Sequence, residues 1–496
     1  MDLDADAAYR ALAARDARFD GHWFVGVTTT GVYCRPVCRV RTPRRENCRF
    51  FASAAQAEAA AFRPCLKCRP EIAPGAGLAW TTMDASRTLA RQAAALLDEH
   101  AAQGDAPGLA ALAARLGVSD RHLRRIFAAE HGVTPLQYLQ TRRLLLAKQL
   151  LTDSTLPVAQ VALASGFRSL RRFNDAFARD YRMSPSRLRA RAADGADAAA
   201  ARGQATPEVR VTLAYREPCD VAALLRFIAL RAIPGIEQVE GRGVRRSLRA
   251  GTVGDADGWL EVRFDQGPGR VELRYAAGLA ASSARLVGAV RRWLDLDATP
   301  QRIDAALHEL PGAPGLRLPG GPDAFELAVR AVLGQQVTVA AARTLAHRLV
   351  ERFGTPLATP WAGVDRVFPS PAALAAAPAD ALGALGILRT RSAAIVALAA
   401  HWPALQAQVD RREPAPLVEA LCALPGIGPW TAHYVAMRAL GWPDAWLPGD
   451  VAVLKAMHHL FDTSNDRAAS QRAAAWQPWR SYAVLRLWNS LEGRAP

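Results

Sequence analysis

Lysine is nearly absent from this chain. Lys67, Lys148 and Lys455 are the only three in 496 residues, so arginine carries almost all of a formal net charge of +16. No run of about 18 uninterrupted apolar residues occurs, which excludes a conventional membrane-spanning helix. The first ten residues, MDLDADAAYR, are acidic and lack an apolar stretch, so they do not read as a secretory signal. No solenoid repeat is visible. The seven cysteines are too few and too uneven in number for a disulfide framework. Four of them, Cys34, Cys38, Cys65 and Cys68, form two close pairs, and in a cytosolic chain such pairs point to metal.

What is present is an apolar, basic, globular composition. Hydrophobic residues make up 50% and charged residues 22%, which argues against disorder. The sequence pI of about 10.3 favours a polyanionic partner, with nucleic acid first. At roughly 100–200 residues per domain, the length predicts about three to five domains. The expected organisation has four folded parts and a linker. Residues 1–78 hold the cysteine pairs, and residues 80–192 read as consecutive amphipathic helices. Residues 193–208 read as a flexible linker. Residues 209–284 form a small α+β subdomain, with WLEVRF from Trp259 and RVELRY from Arg270 facing each other across a Gly/Pro turn. The stretch from Cys219 reads as a helix on that sheet, and residues 285–496 are helical.

Cys34-Arg-Pro-Val-Cys38 and Cys65-Leu-Lys-Cys68 supply four sulfurs at chelating spacing, a usual way to build a tetrahedral zinc site. Spacing alone favours a zinc clip that only holds a small domain together, and it does not select a reactive sulfur. The surroundings add a second signal. Nine basic residues lie from Arg35 to Arg69 against two acids, Glu46 and Glu58, which reads as a phosphate-facing surface. The segments TTGVYCRPVCRVR and FRPCLKCRP resemble the N-terminal domain of the Ada adaptive-response regulators, over about residues 5–75. That resemblance implies a zinc-bound cysteine that takes a methyl group irreversibly from a DNA methyl phosphotriester. Cys34 holds the matching position, with Cys38, Cys65 and Cys68 as the other ligands.

LAALAARLGVSDRHLRRIF, from Leu109, has the pattern of a helix-turn-helix. Gly117 sits at the turn, Ser119 caps the second helix, and Arg121, His122, Arg124 and Arg125 follow. VAQVALASGFRSLRRFNDAF, from Val158, repeats the pattern, with Gly166 at the turn and Arg168, Arg171, Arg172 and Asn174 beyond it. One such motif would be a weak signal against an ordinary helical bundle with solvated arginines. Two of them, 49 residues apart and followed by DYRMSPSRLR, resemble the AraC-type DNA-binding domain. A pair of recognition helices can enter successive major-groove turns.

Leu424-Pro-Gly-Ile-Gly-Pro-Trp430 lies between two helical stretches. Gly426 and Gly428 permit a tight hairpin, and Pro429 suits the first turn of the next helix. Amides at that helix start can bind a DNA phosphate. Such a segment could be a plain helix connection, but Asp450 follows 20 residues after Trp430, in WLPGDVAVLK. Hairpin and aspartate together resemble the helix-hairpin-helix DNA glycosylases. Residues 209–490 resemble the AlkA-type 3-methyladenine DNA glycosylase II along their length, including AVRAVLGQQVTVAAA and QPWRSYAVLRLW. The resemblance implies that Asp450 is catalytic and that Trp430, Tyr434 and Trp488 line the base pocket. Aromatic faces suit purines made cationic by alkylation. Gln336 stands where the best-known family member has a leucine that wedges into the DNA stack. Trp476 and Trp479 are expected in the core, as are Cys219 and Cys422, since neither cysteine lies in the Pro-Cys-His-Arg setting of an alkylguanine methyltransferase. Trp430 replaces the lysine of strand-cutting relatives, which implies a monofunctional enzyme, and the four C-terminal cysteines of iron-sulfur members are missing.

The expectation is therefore a multidomain, mostly α protein. It comprises a small zinc-bound α+β domain, an AraC-type double helix-turn-helix, a small α+β subdomain and an all-α helix-hairpin-helix glycosylase domain. Its cofactor is zinc and its partner is double-stranded DNA, both alkylated and promoter DNA. It would activate transcription with RNA polymerase as a cytoplasmic, nucleoid-associated bacterial monomer, with no membrane partner. Two competing readings are a transcription factor whose C-terminal half only binds DNA, and a glycosylase whose N-terminal half only targets it to DNA.

Overall fold

The structure is a computed structural model, and it describes residues 4–75, 85–100, 108–193, 208–463 and 465–491. Most of the expected linker, residues 194–207, lies outside the described residues. The chain packs as two units, Met1–Glu217 with Asp265–Gly288, and Pro218–Phe264 with Ala289–Pro496.

The first unit opens with helix α1 (Ala5–Ala13), capped by Asp4, whose side chain accepts from the Asp6 amide. Four short strands follow: β1 (Phe24–Val27), β2 (Val32–Cys34), β3 (Cys48–Phe51) and β4 (Arg63–Pro64), in the sheet order β3-β1-β2-β4. Helix α2 (Ala54–Ala59) joins β3 to β4. β2 and β4 run parallel, with Tyr33 opposite Pro64, and the Cys65 amide donates to the Tyr33 carbonyl at 3.0 Å. That register brings the two cysteine pairs together.

Seven helices follow: α3 (Ala85–His100), α4 (Leu109–Arg115), α5 (Asp120–His131), α6 (Pro135–Asp153), α7 (Val158–Ala164), α8 (Leu170–Tyr181) and α9 (Pro185–Ala193). The α4–α5 and α7–α8 pairs are the two expected helix-turn-helix motifs. Gly117 and Gly166 take φ of 69° and 80° at the turns, a region open to glycine without steric cost. Each second helix buries one stripe: Leu123, Ile126 and Phe127 in α5, and Phe173, Ala176, Phe177 and Tyr181 in α8. Thr134 and Gln137 close a capping box at the start of α6, the long helix between the motifs.

Strand β5 (Glu208–Ala214) pairs antiparallel with the strand Arg270–Ala276, in this same unit. α6 supplies side chains to the backbone of β5. Gln149 Nε2 donates to the Thr212 carbonyl at 2.8 Å, and Asp153 accepts the Thr212 amide at 3.0 Å. Asp153 also pairs with Arg69 at 2.6 Å, beside a buried Lys148–Glu71 pair. Buried charges at this junction are thus paired rather than exposed to apolar surroundings.

The second unit carries the helix Val221–Arg231 and an antiparallel sheet of the strands Glu237–Glu240, Gly243–Leu248 and Gly258–Arg263. The rest is helical. One core joins the helices Ala324–Leu333, Arg389–Arg411, Pro414–Cys422 and Pro429–Leu440. A second gathers Trp446, Met457, Trp476 and Tyr482 toward the C-terminus. Trp476 is buried as expected, and Trp479 packs edge-on against Tyr482. Cys422 departs from expectation: it is exposed, and Cys219 is only half-buried. Cys422 ends its helix on the solvent side, while Leu417 and Leu421 of the same helix take the buried stripe. No helix among the described residues is long and apolar enough to cross a membrane.

Candidate metal centre and base-excision cavity

In the first unit, the sulfurs of Cys34, Cys38, Cys65 and Cys68 all lie within 4.8 Å of one another. The donor set fits zinc, which takes four thiolates tetrahedrally. Hydrogen bonds from Cys38, Cys65 and Cys68 hold the Cys34 thiol far above the ordinary range, while the same cluster drives Cys65 far below it. Sulfurs this close cannot all ionise without a cation to share them. The Arg35 amide donates to Cys68 Sγ at 3.3 Å, and its guanidinium pairs with buried Asp20 and donates to the Cys68 carbonyl.

The basic surface expected around the sulfurs needs one correction. Arg35 is buried against Asp20, and Arg69 is committed to Glu71 and Asp153. Neither is available for phosphate, because each neutralises a carboxylate inside the domain. Arg39, Arg41, Arg44, Arg49 and Lys67 remain exposed. Asp20 also accepts through its carbonyl from buried Arg216, a junction that spacing along the chain could not disclose.

On α5, Arg121, Arg124 and Arg125 are exposed and His122 is half-exposed; on α8 and its turn, Arg168, Arg171, Arg172 and Asn174 are exposed. Ser119 accepts from the His122 amide at 3.2 Å, and Ser169 from the Arg172 amide at 3.4 Å. The two motifs therefore present equivalent basic faces from equivalent caps.

In the second unit, Asp450 caps the helix Val451–Phe461 and is 8% exposed. Its Oδ1 accepts the Val453 amide at 2.8 Å and the Trp488 indole N–H at 3.1 Å. Its Oδ2 accepts the Trp430 indole N–H at 2.8 Å. Asp450, Trp430 and Trp488 line a cavity of about 1080 Å³, together with Tyr434, Gln335, Gln336, Gly426 and Gly428. Trp430 and Tyr434 stack, with ring centres 5.2 Å apart and planes 6° from parallel. The expected pocket residues thus meet at one place, and two of the aromatics do more than expected: they fix the carboxylate.

Sequence reasoning missed the arginines of this cavity. Arg438 is buried and donates to the Tyr434 hydroxyl at 2.6 Å, with Arg231 and Arg330 nearby. Burial alone would raise the Tyr434 pKa, but Arg438, Arg231 and Arg330 overcome it and hold the phenol below its ordinary value. Arg231 and Arg438 stack over the Phe227 ring at 3.7 and 4.8 Å. The available signal was Arg438 itself, four residues after Tyr434 and so on the same helical face.

At the hairpin, Gly426 takes φ of 78°, and a Cβ there would meet the Ala394 Cβ at 2.9 Å. Gly428 does not share this constraint. Its φ is −90°, and nothing stands within 4 Å of an added Cβ. Only Gly426 shapes the hairpin; Gly428 leaves open space before the helix Pro429–Leu440.

Comparison with known proteins follows this order of parts. Residues 7–71 match "Metal binding domain of Ada", and residues 112–191 match "Helix-turn-helix domain". Residues 210–323 match "AlkA N-terminal domain", and residues 329–481 match "HhH-GPD superfamily base excision DNA repair protein". The chain is thus a DNA-binding protein that fuses a zinc-cysteine domain and a helix-turn-helix domain to a base-excision DNA repair glycosylase. A Mycobacterium tuberculosis protein described as "Probable bifunctional transcriptional activator/DNA repair enzyme AlkA" is 38% identical over 500 residues, spanning 99% of this chain and 97% of that one. "DNA-3-methyladenine glycosylase 2" of Escherichia coli is 36% identical over 289 residues, 58% of this chain and 98% of that one. "Bifunctional transcriptional activator/DNA repair enzyme Ada" of Escherichia coli is 38% identical over 141 residues, 28% of this chain and 37% of that one. The chain belongs to the family of bifunctional transcriptional activator/DNA repair enzymes that carry an AlkA-type glycosylase.

Proposed function

We propose that the chain excises alkylated purines from duplex DNA at Asp450 and accepts a methyl group from DNA phosphotriesters on Cys34. The observation that carries the first activity is the Asp450 carboxylate, held by two indole N–H groups at the wall of an aromatic cavity. An alkylated purine flips out of the stack and enters between Trp430, Tyr434 and Trp488. Its C1′–N bond breaks, and the base leaves with the electron pair, which neutralises its positive charge. Asp450 stabilises the positive sugar, and water adds at C1′ and gives up a proton, leaving an abasic site. Trp430 offers no amine for a Schiff base, so the strand stays intact. Exposed amides near Gly426 and Gly428 hold the phosphates, and Gln336 fills the gap in the stack.

At the other site, Cys34, Cys38, Cys65 and Cys68 would hold zinc, whose positive charge would keep the sulfurs ionised at neutral pH. Cys34 sulfur attacks the methyl carbon of a phosphotriester, the carbon–oxygen bond breaks, and the phosphodiester anion leaves. With zinc held there, the four thiolates would exceed the metal's charge by two, and methylation of Cys34 would remove one of those negative charges, so the domain would repel DNA less. The helix-turn-helix residues Arg121, His122, Arg124, Arg125, Arg168, Arg171 and Arg172 then bind promoter DNA more tightly, and the protein, as a cytoplasmic, nucleoid-associated monomer, activates transcription with RNA polymerase.

The deciding experiment is single-turnover release of 3-methyladenine from methylated duplex by wild type and Asp450→Asn. Release by the variant should fall by about two to three orders of magnitude. The product should hold abasic sites without strand breaks. Equal rates would remove Asp450 from the chemistry, and a borohydride-trapped protein–DNA adduct would show a strand-cutting enzyme.

A further inference from the structure

The second helices of the two motifs, α5 and α8, each run twelve residues and end on matching residues, His131 and Tyr181. One short element touches both ends. From α2 of the cysteine domain, Gln56 Nε2 donates to the His131 carbonyl at 3.0 Å. Two residues on, the Glu58 carboxyl accepts from the Tyr33 hydroxyl at 3.0 Å, hydrogen-bonds Thr141 of α6, and has the Tyr181 hydroxyl buried against it. Glycine at the end of α5 serves this contact. Gly132 and Arg182 take the same left-handed turn, at φ of 68° and 55°, so the turn alone does not require glycine. A Cβ at Gly132 would collide with the Gln56 amide. α2 is in turn fastened to the cysteine centre. Tyr33 precedes Cys34 and is fully buried, and its carbonyl accepts the Cys65 amide at 3.0 Å. Beyond Cys68, Arg69 and Glu71 pair with Asp153 and Lys148 of α6.

We propose that Gln56 and Glu58 are positioning residues for DNA reading: α2 bridges the far ends of α5 and α8 and fixes the spacing at which their basic faces meet the duplex. The inference rests on both motifs reading one DNA site. Each helix turns its first residues to solvent, Arg121, Arg124 and Arg125 on α5 and Arg171 and Arg172 on α8, and gives its last residue to α2. Helices that read one site together must enter the major groove about one turn apart. α6 joins the two motifs, but a single connection leaves each motif free to rock about it. A second connection, at the ends away from the basic residues, removes that freedom. Polar contacts suit the task, because a buried set of donors and acceptors is satisfied in one arrangement, whereas apolar surfaces can slide. The cysteine domain thereby acts on base reading through α2, in addition to its own basic surface.

The test uses the full chain and a duplex that it selects from a random-sequence pool. The segments under the two motifs are located by the protection lost in Arg121→Ala and in Arg171→Ala. Affinity is measured at one fixed salt concentration for that duplex and for one with a base pair inserted between the segments, which shifts them by about 3.4 Å and roughly a tenth of a turn. Wild type should bind the inserted duplex about tenfold more weakly or worse, the loss of one or more base contacts. In Gln56→Ala and Glu58→Ala that penalty should fall to about threefold or less, because the freed motif follows its segment. Glu58→Gln keeps an acceptor for Tyr33 and should keep the wild-type penalty. Gln56 is only half-buried, so Gln56→Ala decides the question should Glu58→Ala fail to fold. A penalty unchanged in the alanine variants would show that α6 alone sets the spacing and would overturn the proposal. Binding weakened equally on both duplexes, with the penalty kept, would mark a loss of stability only and overturn it as well. No penalty in wild type would refute the joint reading of one site, and the proposal with it.

Discussion

Asp450 has two oxygens and three donors aimed at them, so its orientation is set before any substrate enters. This separates two roles for the tryptophans that the sequence could not distinguish, the face that meets a base and the N–H that steers a carboxylate. Trp488→Phe keeps the ring and removes one N–H. Hydrogen bonds to charged groups contribute about 1.5–3 kcal/mol, so base release should slow roughly tenfold or more while substrate affinity changes little. Single-turnover rates measured across a range of protein concentrations separate the two effects, and a loss confined to affinity would show that Trp488 acts only as pocket wall.

Among elements, the hairpin and the α2–α6 contact give opposite kinds of prediction. Gly426→Ala forces a side chain into a positive-φ position against Ala394, at a cost of about 1–3 kcal/mol. Gly428→Ala meets open space and should leave the melting temperature nearly unchanged. Thermal melts of both variants check the contrast; equal losses would mean that the turn is shaped by something other than Gly426. On α2, burial pushes the Glu58 carboxyl up to about 8, partly offset by hydrogen bonds with Thr141, Tyr33 and Tyr181, and the Tyr33 hydroxyl donates to it at 3.0 Å. The folded state therefore binds a proton that the unfolded chain releases above its ordinary carboxyl range. The stability this contributes is complete below a pH of about 4.5 and is lost as pH rises through about 8. Melting of wild type should fall across that window, and Glu58→Gln should flatten the profile; a variant that keeps the full slope would place the titrating group elsewhere.

For the whole molecule, the cysteine centre is built across the chain, by β2 and β4 in parallel register. Purified protein should contain about one zinc per chain, and Cys65→Ala should lose it; metal-free protein with an intact N-terminal domain would sink the assignment. The charge change at Cys34 should then act on the basic faces of α5 and α8. Promoter affinity, read at one fixed salt concentration, should rise after exposure to methylated DNA in wild type and stay unchanged in Cys34→Ala. Unchanged affinity in both would leave a repair domain without a switch.

The sequence by itself determined the order of parts and the candidate site residues. Cysteine pairs, glycine turns, helix caps and an aspartate after a hairpin are local patterns, and local patterns survive in one dimension. Tertiary structure alone decided which basic residues face outward and which turn inward: Arg35 and Arg69 sit in the basic run, yet spend their charge on Asp20, Glu71 and Asp153. It decided that Cys422 lies at the surface, that Gly428 is unconstrained, and that Arg438 meets Tyr434 in the cavity. Each of these depends on what stands within a few ångströms in space but far along the chain. A side chain's charge and shape are written in the sequence, and its partner is chosen only when the chain folds back on itself.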